Sequence, residues 1–271
     1  MDVPLVLAGD VFDRWNPGPE LINMALEAFD PVEVYAVPGQ HDLPYHNYTD
    51  RKRSAYWTLV TAGQVVNLTP GHGFFVADGH LVLYGFPWGW KLTRCPARTN
   101  DPLTLAVCHR YCWIEGNSHP GAKPEDHVDA LRKELAGFDA AVFGDNHSGF
   151  LASRRTGEAA VLNSGTVMRR TTAEAGYNPA YGVLYSNGCF ARVQSTTPAK
   201  DRFREGNPLE TVAGLSPDLV ALIEDLPDQM SDQAAGLRDF RHELMRRLKG
   251  LSPETRREVL DAVGEGDRAD V

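Results

Sequence analysis

Several short apolar, β-rich runs in this chain stop at polar clusters. Leu5-Val6-Leu7-Ala8 leads into Gly9-Asp10-Val11-Phe12-Asp13, and Val34-Tyr35-Ala36-Val37 leads through Pro38 into Gly39-Gln40-His41-Asp42. Val107-Cys108 leads to His109, and Val142-Phe143-Gly144 to Asp145-Asn146-His147. A fold that accepts this chain must bury the runs as strands while gathering their polar ends. An open α/β sheet does both, because the carboxyl ends of its parallel strands face a common crevice. Gly9, Gly39 and Gly144 permit tight turns and close backbone approach there.

The gathered side chains have a common chemistry. Hard divalent ions take carboxylate, amide and imidazole ligands, and Asp10, Gln40, His109, Asp145 and His147 supply those types. A carboxylate at Asp10 suits the bridging of two ions roughly 3.5–4 Å apart, the spacing that clamps both sides of a phosphoryl displacement. These residues point to a metal-dependent hydrolase.

Over about residues 3–195 the chain resembles the calcineurin-like metallophosphoesterases. Within them it is most similar to the SbcD-type DNA repair nucleases and their phage relatives, through Leu-Ala-Gly-Asp-Val-Phe-Asp at 7–13 and Val-Pro-Gly-Gln-His-Asp-Leu-Pro-Tyr-His at 37–46. The family signatures run D-x-H, G-D-x-x-D, G-N-H-D/E, a lone His, then G-H-x-H, and four of the five can be placed here in order. The resemblance implies an α/β fold: a four-layer α-β-β-α sandwich with two mixed sheets, here followed by a helical C-terminal tail. It also implies two divalent ions, Mn²⁺ first and Mg²⁺ as the alternative. Asp10 would bridge them, Gln40, His109 and Asp145 would complete one, and His147 would serve the other. His41 would act on the leaving oxygen with Asp42 orienting its imidazole, and Asp13 would stand behind the ligands.

Gln40 stands where the family usually has Asn, and Asp145 where it usually has the first His of G-H-x-H. Both still present an oxygen to a metal. The D-x-H element is expected some tens of residues before Asp10, yet only nine residues precede it; the expectation is therefore one metal with fewer ligands and Met1 as an internal start, from a truncated gene, a miscalled start codon or a natural fragment. Asp78-Gly79-His80 has the D-x-H spelling, but Asp-Gly between two apolar runs reads as a hairpin turn.

No apolar run approaches the ~20 residues that span a bilayer, and the start lacks a signal-peptide pattern, so the expectation is a cytoplasmic protein with no membrane partner. The four cysteines show no disulfide framework. Cys108 and Cys112 around His109 raise the alternative of a zinc-thiolate site, but Cys108 in an apolar strand reads better as a buried thiol. The net charge of −9 is uneven: 19 Lys and Arg face 21 Asp and Glu over residues 1–204, and 8 face 15 over 205–271. An acidic total opposes strong non-specific DNA binding, while the near-neutral body leaves DNA access open.

Helices are predicted over 19–29, 54–62 and 126–136, with strands near 64–68, 73–77, 80–86, 103–108 and 139–143 and a closing hairpin of 181–186 and 189–194 turning at Asn187-Gly188. Two domains follow: residues 1–200 as the phosphoesterase body, and an acidic helical segment over 201–271, where Ser216-Pro217 is a helix start. By resemblance this tail is either a small docked bundle or a docking segment for an SbcC-type coiled-coil ATPase, and a homodimer is allowed. Arg51-Lys52-Arg53, Arg154-Arg155 and Arg169-Arg170 are candidate phosphate contacts or solvated surface. Trp88, Trp90, Tyr111 and Trp113 are candidates to stack on unpaired bases or to pack. His46, five residues beyond the site motif, is the remaining histidine nearest a role.

Three functions are therefore in view. The first is a nuclease acting on DNA ends, hairpins or single strands; the second is a phosphoesterase of the same fold acting on a small molecule or phosphoprotein. The third is a catalytically impaired fragment that binds DNA or an ATPase.

Overall fold

Runs rich in Val, Leu and Ala become strands whose two faces are both covered, as parallel sheets require. In the computed structural model, which describes residues 3–96, 102–119, 121–167 and 177–195, β1 (Leu5–Leu7), β2 (Val34–Ala36) and β3 (Val66–Asn67) form a parallel sheet in the order β1-β2-β3. A second sheet has six strands: β4 (Gly73–Val76), β5 (Leu81–Phe86), β6 (Leu103–His109), β7 (Ala140–Gly144), β8 (Phe150–Ala152) and β9 (Ala160–Asn163). Their order is β4-β5-β6-β7-β9-β8, with β5, β6, β7 and β9 parallel and both edge strands antiparallel to their neighbours. The mixed character belongs to this larger sheet.

Side-chain alternation along β6 assigns the layers. Leu105 and Val107 join Val37, Leu68 and Leu83 in a core between the two sheets. Ala106 and Cys108 face the other way, with Phe143 and Val161, onto Leu131 and Leu135 beside α3 (Val128–Glu134). On the outer face of the smaller sheet, Val34 and Ala36 meet Tyr56 and Leu59 of α2 (Ala55–Thr61) and Leu26 of α1 (Pro19–Phe29). The order helix, sheet, sheet, helix is the expected four-layer sandwich.

Local chemistry sets the helix starts. Pro19 occupies the first turn of α1, where a missing N–H does no harm. Ser54 caps α2 by accepting the Trp57 N–H at 3.2 Å. Strands β8 and β9 were not assigned from sequence; each is short, and Ala, a poor strand former, begins or ends it.

Two hairpins follow their turn signals. Val76 pairs with Leu81 across residues 77–80, where Ala77, Asp78 and Gly79 all take positive φ. Since β5 runs parallel to β6, this turn lies at the sheet end opposite His109, which separates Asp78 and His80 from the strand ends that carry the candidate ligands. The closing hairpin, β10 (Ala180–Leu184) and β11 (Phe190–Gln194), turns at Asn187-Gly188, and Leu184 and Phe190 pack on the inter-sheet core. The expected tail helices of 201–271 and the pair Arg169-Arg170 lie outside the described residues. Among the described residues no helix is long and apolar enough to cross a membrane.

Gly85 of β5 marks where the two sheets approach closely, because a Cβ there would collide with the backbone carbonyl of Leu68. Gly85→Ala is expected to lower stability by about 1–3 kcal/mol, the usual range for overpacking a close contact. Urea denaturation checks it; an unchanged midpoint would show that the sheets separate freely.

Candidate metal centre

The chain must turn sharply at the end of each strand for the polar residues to meet. After β1 it does so at Gly9 (φ 93°) and Asp10 (φ 52°), and after β7 at Asp145 (φ 83°). Left-handed backbone is uncommon outside glycine and least unfavourable for Asp and Asn. Six non-glycine residues among those described have positive φ, and four of them, Asp10, Tyr45, His46 and Asp145, lie in the segments of the site. Strain is concentrated there.

Glycines allow the strand ends to touch. A Cβ on Gly9 would overlap the His109 imidazole, one on Gly39 the Asp10 carboxylate, and one on Gly144 the carbonyl of Ala8. The same contacts bring the ends of β1, β2, β6 and β7 together across the two sheets.

At the centre stands His109, 2% exposed. Its Nδ1 lies 2.6 Å from the Ala8 carbonyl, and its Nε2 lies 2.5 Å from Gln40 Oε1 and 3.4 Å from Asp10 Oδ2. Gln40 in turn donates from Nε2 to Asp145 Oδ1 at 2.9 Å. Asp10 also accepts the His41 backbone N–H at 3.0 Å. The structure thus brings Asp10, Gln40, His109 and Asp145 into one connected cluster.

The charges support each other. Burial alone pushes the Asp10 carboxyl up, but the His109 hydrogen bond and charge, with His41, outweigh it and hold it below the usual carboxylate range. Burial pulls the His109 imidazole down, yet Asp10, the Ala8 carbonyl and Asp145 raise it overall. An imidazole ringed by three oxygens is thereby favoured in its protonated form.

Asp42 departs from its expected role. Its side chain is fully buried and accepts three backbone N–H groups: Phe12 on Oδ1 at 3.0 Å, Val11 and Gly39 on Oδ2 at 3.2 and 2.9 Å. Burial, with the Asp10 charge adding, pushes its carboxyl up to about 7 against those three donors. The expectation that Asp42 orients the His41 imidazole is corrected: both of its oxygens tie the loop after β1 to the loop after β2. Backbone amides, buried with it, compete for the carboxylate.

The other expected residues divide. His147 and Asp13 are exposed; the His147 loop is fixed through its carbonyl, which accepts the Thr166 N–H at 3.0 Å. Arg51 packs over the Tyr48 and Trp57 rings at 4.3 and 5.0 Å, Lys52 is exposed, and Arg53 pairs with Asp50 at 3.7 Å. Arg154 and Arg155 pair with Asp139 and Asp129 at 2.9 and 2.8 Å, in the turn between β8 and β9. That turn lies at the amino ends of the parallel strands, away from the candidate ligands, so of the two readings of this pair the surface one fits and the phosphate contact is corrected. Trp113 and Tyr111 pack locally, on His127 and His119. Cys108 and Cys112 are fully buried, and burial pushes both thiols up.

Two asparagines escaped the sequence reading. Asn146 Nδ2 donates to the carbonyls of Cys112 and Asn117 at 2.8 and 3.1 Å, and Asn163 Nδ2 to those of Asn146 and Ser148 at 2.7 and 3.2 Å. Together they fix the loop that carries Asp145 and His147. The signal was present, since Asn163 ends an apolar strand just as the other site residues do.

Among the described residues no three His, Cys, Asp or Glu side chains form a ready-made metal cluster. The donors nonetheless fit one hard divalent ion: an amide oxygen and a carboxylate converge on His109 Nε2, while the Ala8 carbonyl fixes the other ring nitrogen as donor, the usual support of a ligating histidine. A positive charge is already favoured at that point.

A sandwich of this order with carboxylate, amide and imidazole donors at its strand ends defines the phosphoester-hydrolase class. The calcineurin-like phosphoesterase family model matches residues 2–149, and the chain belongs to that family. Its members generally hold two divalent metal ions, and the family assignment makes this a metal-dependent phosphoester hydrolase. No curated protein matches the chain.

Asp42→Ala strands three buried or half-buried N–H groups at once. The expected loss is about 3 kcal/mol or more, at ~1 kcal/mol or more per orphaned donor. Asp42→Asn, which keeps one acceptor oxygen, should recover part of it; equal stability of Ala and wild type in chemical denaturation would remove Asp42 from its bridging role.

Proposed function

We propose that the chain is a DNA nuclease of the SbcD-like kind, hydrolysing phosphodiesters at ends, hairpins or single strands. The observation that carries the hydrolytic part is the cluster in which four strand ends bring Asp10, Gln40, His109 and Asp145 together around one buried imidazole. The motif Gly39-Gln40-His41-Asp42-Leu43-Pro44-Tyr45-His46 supports DNA as the substrate, and the aromatic residues around it agree with that.

One ion would be held by Asp10, Gln40, His109 and Asp145, and a second by Asp10 and His147; Mn²⁺ suits this set. When bound, such ions polarise phosphoryl oxygens and lower the pKa of water. The protein's own groups do the rest. Asp10 is kept ionised by its partners, so it meets a cation without first losing a proton. The Ala8 carbonyl holds the His109 ring so that Nε2 faces the donors. His41, half-buried and next to Gln40 in the chain, would give a proton to the leaving oxygen. A coiled-coil ATPase of the SbcC kind and a second copy of the chain remain the partners proposed by resemblance.

The two metal positions differ in donor number, so Mn²⁺ should bind in two unequal events. Calorimetric titration is expected to show a tighter event that is lost in His109→Ala and weakened in Asp145→Ala, and a weaker one that is lost in His147→Ala. Hydrolysis of single-stranded DNA should rise through the weaker event and fall ~10²-fold or more in His41→Ala. Absence of any Mn²⁺ heat, or identical heats in wild type and His109→Ala, would overturn the metal assignment; DNA left intact while bis(p-nitrophenyl) phosphate is cleaved would overturn the nuclease reading alone.

A further inference from the structure

Next to the metal centre lies a cavity of about 420 Å³, lined by His46, Asn47, Tyr48, Arg51, Trp88 and Trp90 among others. It is joined to the centre by rings: His46 stands 6.5 Å from both His41 and Trp88, and Trp88 stands edge-on to His109 at 6.2 Å. Trp90 meets Tyr48 at 5.2 Å on the far side.

Three features separate this cavity from ordinary packing. Trp90 is 44% exposed and nearby Tyr45 is 73% exposed, although burial of such rings is strongly favourable. Tyr45 and His46 take φ of 53° and 55° in succession, a backbone conformation that both side chains disfavour and that persists only where the surroundings enforce it. Tyr48 Oη and Arg51 Nε are buried without a hydrogen-bond partner, and both residues line the cavity. Buried polar atoms are rarely left so; both are closed to solvent as they stand, and a shift of either side chain toward the cavity would bring it to a polar ligand.

The shape and chemistry select that ligand. The walls offer ring faces, the cation of Arg51 is held in place over Tyr48 with its Nη1 donating to the Tyr48 carbonyl at 3.1 Å, and the volume is that of a small-molecule pocket. A flat, π-rich group with carbonyl and ring-nitrogen acceptors fits these walls; an aliphatic group or a phenylalanine ring leaves the polar atoms unmet. Resting on the phosphodiesterase reading above, we propose that the cavity holds an unpaired nucleobase whose own or adjacent phosphate lies at the Asp10–His109 cluster. A paired base keeps its faces in the duplex stack, so the cavity selects single-stranded or splayed nucleotides.

The test compares binding of hexathymidylate with that of a hexamer carrying a tetrahydrofuran in place of each base. The two carry equal charge, so phosphate attraction cancels at one salt concentration. Intrinsic tryptophan fluorescence, read without metal and with Mn²⁺, is expected to show tighter binding of hexathymidylate by roughly ten-fold or more, the scale of base–aromatic stacking. Trp90→Ala and Tyr48→Ala should each narrow that gap, with Trp88 left as reporter, and Trp90→Phe should keep it. Equal binding of the two hexamers by wild type, or an undiminished gap in both Ala variants with circular dichroism unchanged, would overturn the proposal. Cleavage of bis(p-nitrophenyl) phosphate reports the metal site separately: cleavage without a binding gap defeats the base cavity alone, and a binding gap without cleavage leaves the cavity standing and defeats the hydrolase reading.

Discussion

The buried carboxylate of Asp42 holds the site together. It is fully buried, and its three backbone N–H bonds fix where the chain goes after β1 and β2. Val11 and Phe12 follow Asp10 directly, and Gly39 precedes Gln40. Fixing those amides therefore fixes the neighbouring donors, and Asp10 then reaches back to the His41 N–H. The arrangement resembles a capped turn built across two strands. A short carboxylate serves there because it can accept from three directions at once.

Around that anchor, steric permission and electrostatic demand act together. The glycines at 9, 39 and 144 admit neighbours that any side chain would displace. They let a carboxylate, an amide and a carbonyl crowd one imidazole, and the crowding raises the affinity of the point for positive charge. Asp10, the Ala8 carbonyl and Asp145 raise the His109 imidazole against the effect of burial, which favours a proton there. A divalent ion meets the same requirement more strongly, provided His109 gives up its Nε2 proton, which links metal binding to proton release.

The two ends of the larger sheet have separate duties. At the carboxyl ends lie the metal donors and the aromatic cavity. At the amino ends lie the Asp78-Gly79 turn and the Arg154 and Arg155 pairs, where Asp139 also accepts Thr104 N–H and Oγ–H at 3.0 Å. Arg154, which neutralises the buried Asp139, is committed to the fold, while Arg155 and Asp129 form an exposed pair. Cations near a site motif in sequence are thus no guide to cations near it in space.

The sequence by itself determined the strands that carry the metal donors, β1, β2, β6 and β7, and their polar ends. Apolar runs followed by Gly-Asp, Gly-Gln-His-Asp and Gly-Asp-Asn-His specify parallel strands with donors at one edge, since strand period and turn chemistry are local properties. The hairpins at Asp78-Gly79 and Asn187-Gly188 were legible for the same reason. Only the tertiary structure decided what each carboxylate and cation does. By resemblance Asp42 was expected to orient His41, but its hydrogen bonds are made to Gly39 and to Val11 and Phe12, some thirty residues away. Arg154 followed a site motif, yet an antiparallel strand carried it to the opposite edge. The role of Asn163, which donates to the carbonyls of Asn146 and Ser148, likewise appears only when separate segments meet. Hydrogen bonding depends on distance and direction in space, and sequence spacing fixes neither once the chain has crossed a sheet.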